Sequence, residues 1–247
     1  MKRFLPCFVA AALAVPAVLS AAVFEGKVSF KITPPKGEPQ EIAYSIKGDK
    51  QRIEMPQMAS SGMGGMIADT TKREMTILID SQHMYMVQPM PDASAAPQGD
   101  KAPPQGNLEK TGQKEKILGY DAEKFVTTSA DGAKTELWLA EGLGTFVPFG
   151  GGPGGRGRGG PPGMGGGRGG PGGQAWAGAL AGKELFPLRV VSHDKDGAEF
   201  RMEATKIDKQ SLPDSLFAPP ADYQKFDMGG MMRGAMPGMP GMRLPGR

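Results

Sequence analysis

The sequence predicts a mainly β protein, built as a single strongly curved antiparallel sheet, a half-barrel, with one or two short helices. Apolar and polar residues alternate along many short segments, which is the pattern of half-buried strands. Turn signals separate these segments at short intervals, and little of the chain has a helical pattern. Several predicted strands are apolar on both faces, so either both faces are covered or one of them lines a cavity.

The N-terminal half of the chain contains six predicted strands. In the first of them, Val28, Phe30 and Ile32 alternate with polar and charged residues. Asp80-Ser81 predicts a tight hairpin turn between the last two. The six strands span residues 23–33, 42–46, 52–55, 66–70, 74–79 and 83–88.

The C-terminal half continues the same pattern. The Ala-rich segment 174–184 predicts a short helix, and 213–217 predicts a short helical turn. Residues 223–228 predict a final strand that could close the sheet. The other strands are expected at 110–117, 121–129, 133–140, 186–194 and 198–207.

One domain, residues 23–228, contains all these elements. Within it, a Pro/Ala/Gln/Gly loop at 89–106 and a Gly/Arg-rich insert at 144–173 have no core-forming pattern. The insert has 16 glycines among the 24 residues from 150 to 173, too little apolar surface to offset the entropy of ordering. We therefore expect disorder in both segments and in the Met/Gly/Pro/Arg-rich tail, 229–247.

Residues 1–22 have the pattern of a cleavable export signal. Lys2 and Arg3 precede an apolar run that is short for a membrane span, and small residues then favour cleavage after Ala22. We expect a periplasmic protein, with secretion as the alternative. The single cysteine, Cys7, lies in this segment, so the mature chain would have no disulfide and no thiolate ligand.

Four short motifs, taken in order, resemble a bacterial family called domain of unknown function 4412. The first two are Gly48-Asp49-Lys50-Gln51-Arg52-Ile53-Glu54 and Ile117-Leu118-Gly119-Tyr120-Asp121-Ala122-Glu123-Lys124-Phe125. The others are Glu136-Leu137-Trp138 and Leu212-Pro213-Asp214-Ser215-Leu216-Phe217, which Pro219, Pro220 and Tyr223 follow. Ala122 departs from the family, in which cysteine is frequent at this position.

This resemblance implies a fold similar to the periplasmic lipoprotein carriers (LolA/LolB-like): a curved antiparallel sheet with short helices over its concave side. It implies no activity, because none of the motifs is catalytic.

The residues give no sign of an enzyme. The mature chain has two histidines, His83 and His193, and neither has a second ligand at metal-binding spacing. Nucleophile elbows, zinc-protease motifs and phosphate-binding loops are missing from the sequence. We therefore expect a non-enzymatic protein with no cofactor.

Charge also argues against a nucleic-acid partner. The chain has 29 basic and 26 acidic residues, and six of its arginines lie in the insert and the tail, where there are no acids. The Arg-Gly repeats of the insert resemble RNA-binding segments, but no aromatic residues lie between the arginines.

Methionine supports an alternative hypothesis. Thioethers are soft ligands that suit Cu(I) or Ag(I), and methionines crowd the tail at short spacings. The same residues could instead be adaptable apolar filler. The candidate metal ligands are Met231, Met232, Met236 and Met239.

The leading hypothesis is a carrier-type protein of the bacterial envelope that holds an apolar ligand, such as the acyl chain of a lipid or lipoprotein, in the curved sheet. A structural or interaction protein that touches the envelope peripherally is a further alternative. The predicted ligand-binding residues are Phe30, Tyr44, Ile53, Ile77, Met86, Phe125, Leu139 and Phe200.

Overall fold

The computed structural model describes residues 23–90, 107–128, 132–148, 175–180, 182–193 and 197–226. Twelve strands lie in this part of the chain, and they form one sheet. The strands are β1 (Glu25–Thr33), β2 (Gln40–Lys47), β3 (Lys50–Glu54), β4 (Gly65–Asp69), β5 (Glu74–Ile79), β6 (Met84–Pro89), β7 (Glu109–Ile117), β8 (Tyr120–Thr128), β9 (Lys134–Ala140), β10 (Phe186–His193), β11 (Glu199–Lys209) and β12 (Gln224–Lys225).

The predicted fold class is confirmed: the protein is mainly β, with one curved sheet. Its strands lie in the order β12-β6-β5-β4-β3-β2-β1-β11-β10-β9-β8-β7. All neighbouring pairs are antiparallel except β12 and β6, which are parallel. The prediction that 223–228 could close the sheet is wrong, because β12 adds only two residues to the edge of β6.

Short helical segments differ in detail from the prediction. Helix α1 (Pro56–Ala59) lies between the predicted strands 52–55 and 66–70, where no helix was predicted, and α2 (Ala175–Ala179) occupies part of the predicted helix. The tight turn expected at Asp80-Ser81 is a 3-10 turn, Asp80–Gln82, which ends on His83 in the left-handed conformation. The 3-10 turn Asp214–Phe217 confirms the predicted helical turn. No helix in the described ranges is long and apolar enough to cross a membrane.

The main core lies on one face of the sheet, called here the inner face. Strand alternation places side chains from β1, β2, β3, β8, β9 and β10 in it, and an aromatic cluster lies at its centre. The rings of Phe30, Tyr44, Phe146 and Phe186 lie 5.5–6.1 Å apart, mostly edge to face. Aromatic pairs at such separations add to the stabilisation from burial.

Residues 144–148 correct the predicted start of the Gly/Arg-rich insert. Phe146 and Val147 are only 4% and 3% exposed, because they pack on the inner face as part of the core. Two apolar residues are enough to order a segment whose neighbouring glycines led us to group it with the insert. The rest of the insert, from 149 to 173, lies outside the described residues, as do 1–22, 91–106 and 227–247.

The opposite, outer face is covered over β4 to β6 by the chain after β11. Ile67 and Leu78 point to this face, and Leu212 and Phe217 pack on them as a second buried cluster. A 2.7 Å hydrogen bond from the hydroxyl of Tyr223 to Asp80 Oδ1 holds the end of this segment. A short helical segment therefore explains why these strands are apolar on both faces.

Over β7 to β11 the outer face is polar instead. Arg189 Nε donates to Glu203 at 2.8 Å, and its two terminal nitrogens donate to Glu115 at 2.7 and 3.2 Å. Burial raises the pKa of Glu203, but hydrogen bonds from Arg189 and Arg201 outweigh it and lower that pKa overall. Trp138 lies between Lys124 and Arg189, whose charged groups are 4.9 and 5.2 Å from its ring centroid.

Strand β7 forms the other edge of the sheet. Eight of its nine residues are exposed, and only Ile117 is buried. Its pairing with β8 shifts between Lys110 and Lys114. Beyond this shift, Leu118 and Gly119 have positive φ angles of 49° and 88° and form the tight turn into β8.

Replacing Phe217 with alanine tests the outer cluster. Phe217 is 8% exposed, so its truncation should lower the free energy of unfolding by about 3–5 kcal/mol, the usual cost of such a cavity. Urea denaturation measures it. Val23→Ala is the control, because Val23 is 71% exposed and should change stability very little. Equal stability of the two variants would mean that residues 212–217 do not cover the sheet.

The Tyr223–Asp80 contact predicts a pH dependence. The hydrogen bond to Asp80 is the main cause that raises the pKa of Tyr223 from 10.0 to about 12. The contact should therefore stabilise the fold fully below pH 10 and lose its effect as the pH rises towards 12. Tyrosinate absorbance is measured against pH in wild type and in Tyr223→Phe. The difference between the two titration curves gives the pKa of Tyr223. Asp80→Asn should return it towards 10, and an unchanged value would contradict the assignment.

Candidate functional site

The strand register gives the inner face two ends. At one end, called the upper end, Thr33 pairs with Arg201, and Ile79 pairs with Met84. At the lower end, Glu25 pairs with Lys47, and Phe186 pairs with Ala140. The inner side chains of β1 to β3 and those of β5 and β6 differ in how they are covered.

The inner face around Tyr44 and Phe186, called here the filled part, is covered by the chain that follows β9, together with α2. Phe146 stacks on Trp176, with ring centroids 5.7 Å apart, and both pack into the main core. The hydroxyl of Tyr44 donates to the carbonyl of Val147 at 3.3 Å, and Gln51 Nε2 donates to the carbonyl of Thr145. These two bonds fix the segment across the sheet.

This filling leaves two polar atoms unsatisfied. Gln51 Oε1 and Trp176 Nε1 are both buried and have no hydrogen-bond partner in the described part of the chain. A buried polar group without a partner costs about 1–3 kcal/mol. The filled part is therefore well packed among its apolar groups and imperfect among its polar groups.

Five of the eight predicted ligand-binding residues belong to this closed core. Each is at most 5% exposed and packs against other side chains of the protein, so its surface is already in use. These residues are Phe30, Tyr44, Ile53, Phe125 and Leu139. Phe200 is half-buried and packs at the margin of the same core.

The other two predicted residues, Ile77 and Met86, lie beside this core on β5 and β6. They pair with each other, and Ile77 also pairs with Met66, which pairs with the core residue Ile53. Paired residues share a face of the sheet, so Ile77 and Met86 lie on the inner face. Both are half-buried and belong to neither of the two buried clusters.

The neighbouring pair, Ile79 and Met84, extends this surface to the upper end. It is also half-buried and outside both clusters. We call these four side chains, Ile77, Ile79, Met84 and Met86, the apolar wall. Their outer-face neighbour Leu78 is fully buried, so the two faces of β5 are covered to different degrees.

Across the sheet, three hydroxyl side chains lie at the same upper end. Thr127 pairs with Thr135, Thr135 pairs with Ser192, and Ser192 pairs with Phe200. Each lies an even number of positions from a core residue on its own strand, so the row lies on the inner face. We call Thr127, Thr135 and Ser192 the hydroxyl row.

Sequence reasoning missed the hydroxyl row. Threonine and serine in alternating strands look like solvent-facing residues, and only their phase relative to Phe125, Leu137 and Val190 places them inside. That phase was available in the sequence. It predicts that they share the face of the core residues, but not that they are buried.

The histidines support no metal site. His83 Nε2 lies 3.7 Å from Asp222, and His193 Nε2 lies 3.4 Å from Glu199, each as a surface pair. Within the described ranges, no group of three or more His, Cys, Asp or Glu side chains could hold a metal ion. The alternative metal ligands Met231, Met232, Met236 and Met239 lie outside the described residues.

A family model described as "Domain of unknown function (DUF4412)" matches residues 24–223, most of the chain. The chain belongs to this family. The match confirms the resemblance found in the short sequence motifs. A comparison with curated proteins finds no match.

Three solved structures align with most of this chain. An uncharacterized conserved protein from Thermus thermophilus is 14% identical, with a TM-score of 0.45, and the match covers 85% of this chain and 93% of that one. PNGF-II is 15% identical, with a TM-score of 0.44; 85% of this chain matches 32% of it, so this chain spans about a third of its length. The MucA/MucB complex of Pseudomonas aeruginosa contains a chain 11% identical, with a TM-score of 0.35 and coverage of 83% and 58%. All three TM-scores are below 0.5, so these likenesses assign no function.

Phe146→Ala tests whether residues 144–148 belong to the core. Phe146 contacts three aromatic rings, so its loss should lower the free energy of unfolding by about 3–5 kcal/mol. Thermal and urea denaturation provide the measurement. Leu118→Ala serves as the control, since Leu118 is 45% exposed. A difference below about 0.5 kcal/mol between the two variants would place this segment outside the core.

Proposed function

We propose that the protein is a non-enzymatic binding protein of the bacterial envelope, and that it holds an apolar, lipid-like ligand on the inner face of β5 and β6. The apolar wall is the observation that carries this proposal. Its four side chains face inward from β5 and β6 and are only half-buried.

Such a surface gains free energy when an apolar ligand covers it. Burial of apolar area contributes about 25 cal/mol per Å², or about 0.8 kcal/mol for each methylene group of a ligand. Two of the four side chains are methionines, which are flexible and adapt to ligands of different shape. An acyl chain of a lipid or lipoprotein fits these properties.

The filled part of the inner face borders this site. Tyr44, which packs on Phe146, lies in the same pairing row as Ile53, Met66, Ile77 and Met86. Entry of the ligand towards Tyr44 would require the segment 144–148 to leave, which would break the bonds from Tyr44 and Gln51.

Binding at this place needs no chemical step. The apolar wall and the hydroxyl row contain no acid, base or thiol, so they offer contact and hydrogen bonds only. The envelope location follows from the predicted export signal. The family match begins at residue 24, two residues after the expected cleavage site.

Native mass spectrometry of delipidated protein, incubated with an envelope lipid extract, tests the proposal. Wild-type protein should retain lipid. The double variant Ile77→Ser and Met86→Ser should lose at least about tenfold in affinity, because two apolar contacts disappear from the wall. A control sample of solubilised lipid without protein identifies the signals that come from micelles.

Val87→Ser is the matched control. Val87 is half-buried in the same strand as Met86 but points to the outer face. It should leave lipid retention within about twofold of wild type. Retention that falls equally in this variant, or a wild-type protein that retains no lipid, would refute the proposal.

A further inference from the structure

The hydroxyl row is an unusual polar feature of an apolar face. Thr127, Thr135 and Ser192 are only 3%, 3% and 4% exposed. Thr135 Oγ1 donates to Ser192 Oγ at 3.0 Å, so these two hydroxyls satisfy each other in part. Thr127 Oγ1 is buried and has no hydrogen-bond partner in the described part of the chain.

An unsatisfied hydroxyl at this position is costly for the fold alone. Valine has the shape of threonine, favours strands and would avoid the desolvation cost of the hydroxyl group. No described residue around Thr127 uses its side-chain oxygen. The hydroxyl therefore stabilises the protein less than a methyl group would.

We infer that Thr127 Oγ1 is a binding contact for an uncharged hydrogen-bonding group of the ligand, an ester or amide carbonyl or a hydroxyl, attached to its apolar chain. This inference rests on the proposed function and specifies the ligand class. The hydroxyl row and the apolar wall lie at the same end of the inner face, on opposite arms of the curved sheet.

The surroundings of the row favour an uncharged group. Directly below it lie Phe125, Leu137 and Val190, all buried and apolar. Charged neighbours such as Glu136 and His193 occupy the alternate positions and point to the outer face. A charged head group would lose its hydration here without meeting a counter-charge among the described residues of this row.

Thr127→Val tests the inference through two independent readouts. The probes are monolauroylglycerol, which has an ester and hydroxyls, and dodecane, which has the same chain length without them. Each probe displaces a fluorescent apolar dye from the protein. Thr127→Val should weaken monolauroylglycerol binding roughly tenfold and change dodecane binding by less than about twofold. The melting temperature without ligand should equal or exceed that of wild type.

Thr135→Val is the matched control. It removes the donor to Ser192 from an equally buried threonine, so it should lower the melting temperature. A similar drop in Thr127→Val would show that the Thr127 hydroxyl is structural and would overturn the inference. Unchanged monolauroylglycerol affinity in Thr127→Val would do the same while leaving the proposed function intact. Failure of both probes to bind wild type would overturn the proposed function together with the inference.

Discussion

A single sheet with apolar residues on both faces must be covered twice, and this constraint organises the whole structure. The inner face is covered by residues 143–147 and α2, which continue the chain from β9. The outer face over β4 to β6 is covered by residues 212–217, which continue the chain from β11. Both covers are short segments without regular strands, so the sheet needs no second layer. Where the inner cover ends, the apolar wall remains.

The sequence was enough to predict the strands and the helical turn within the outer cover, because both depend on local patterns. Alternation located the strands within a few residues, and the turn at Asp214–Phe217 follows from its proline and aspartate. The inner cover was missed because Phe146 and Val147 are only two apolar residues beside a glycine tract. Their burial depends on contacts with Tyr44 and Gln51, about a hundred residues earlier in the chain. Long-range contacts of this kind leave no local pattern.

The same limit explains the outcome for the candidate site. Alternation correctly placed apolar side chains such as Tyr44 and Ile77 on one face, but it could not tell which of them the protein uses for its own core. Phe30 and Tyr44 pack on Phe186 and Phe146, whereas Ile77 and Met86 belong to neither cluster. The difference is set by where the inner cover ends. The extent of the open apolar surface is therefore set by the end of a loop as much as by the strands.

Strand β7 has a consequence for how copies of this protein meet. A sheet edge exposes unpaired backbone groups, and two such edges can join into a continuous sheet. In β7 the shifted pairing between Lys110 and Lys114 interrupts the regular row of donors and acceptors, and its side chains include three lysines. A second copy approaching along this edge would meet an irregular row of backbone groups between exposed charged side chains of both signs. Irregular pairing and exposed charge are two features by which native sheets limit pairing between their edges.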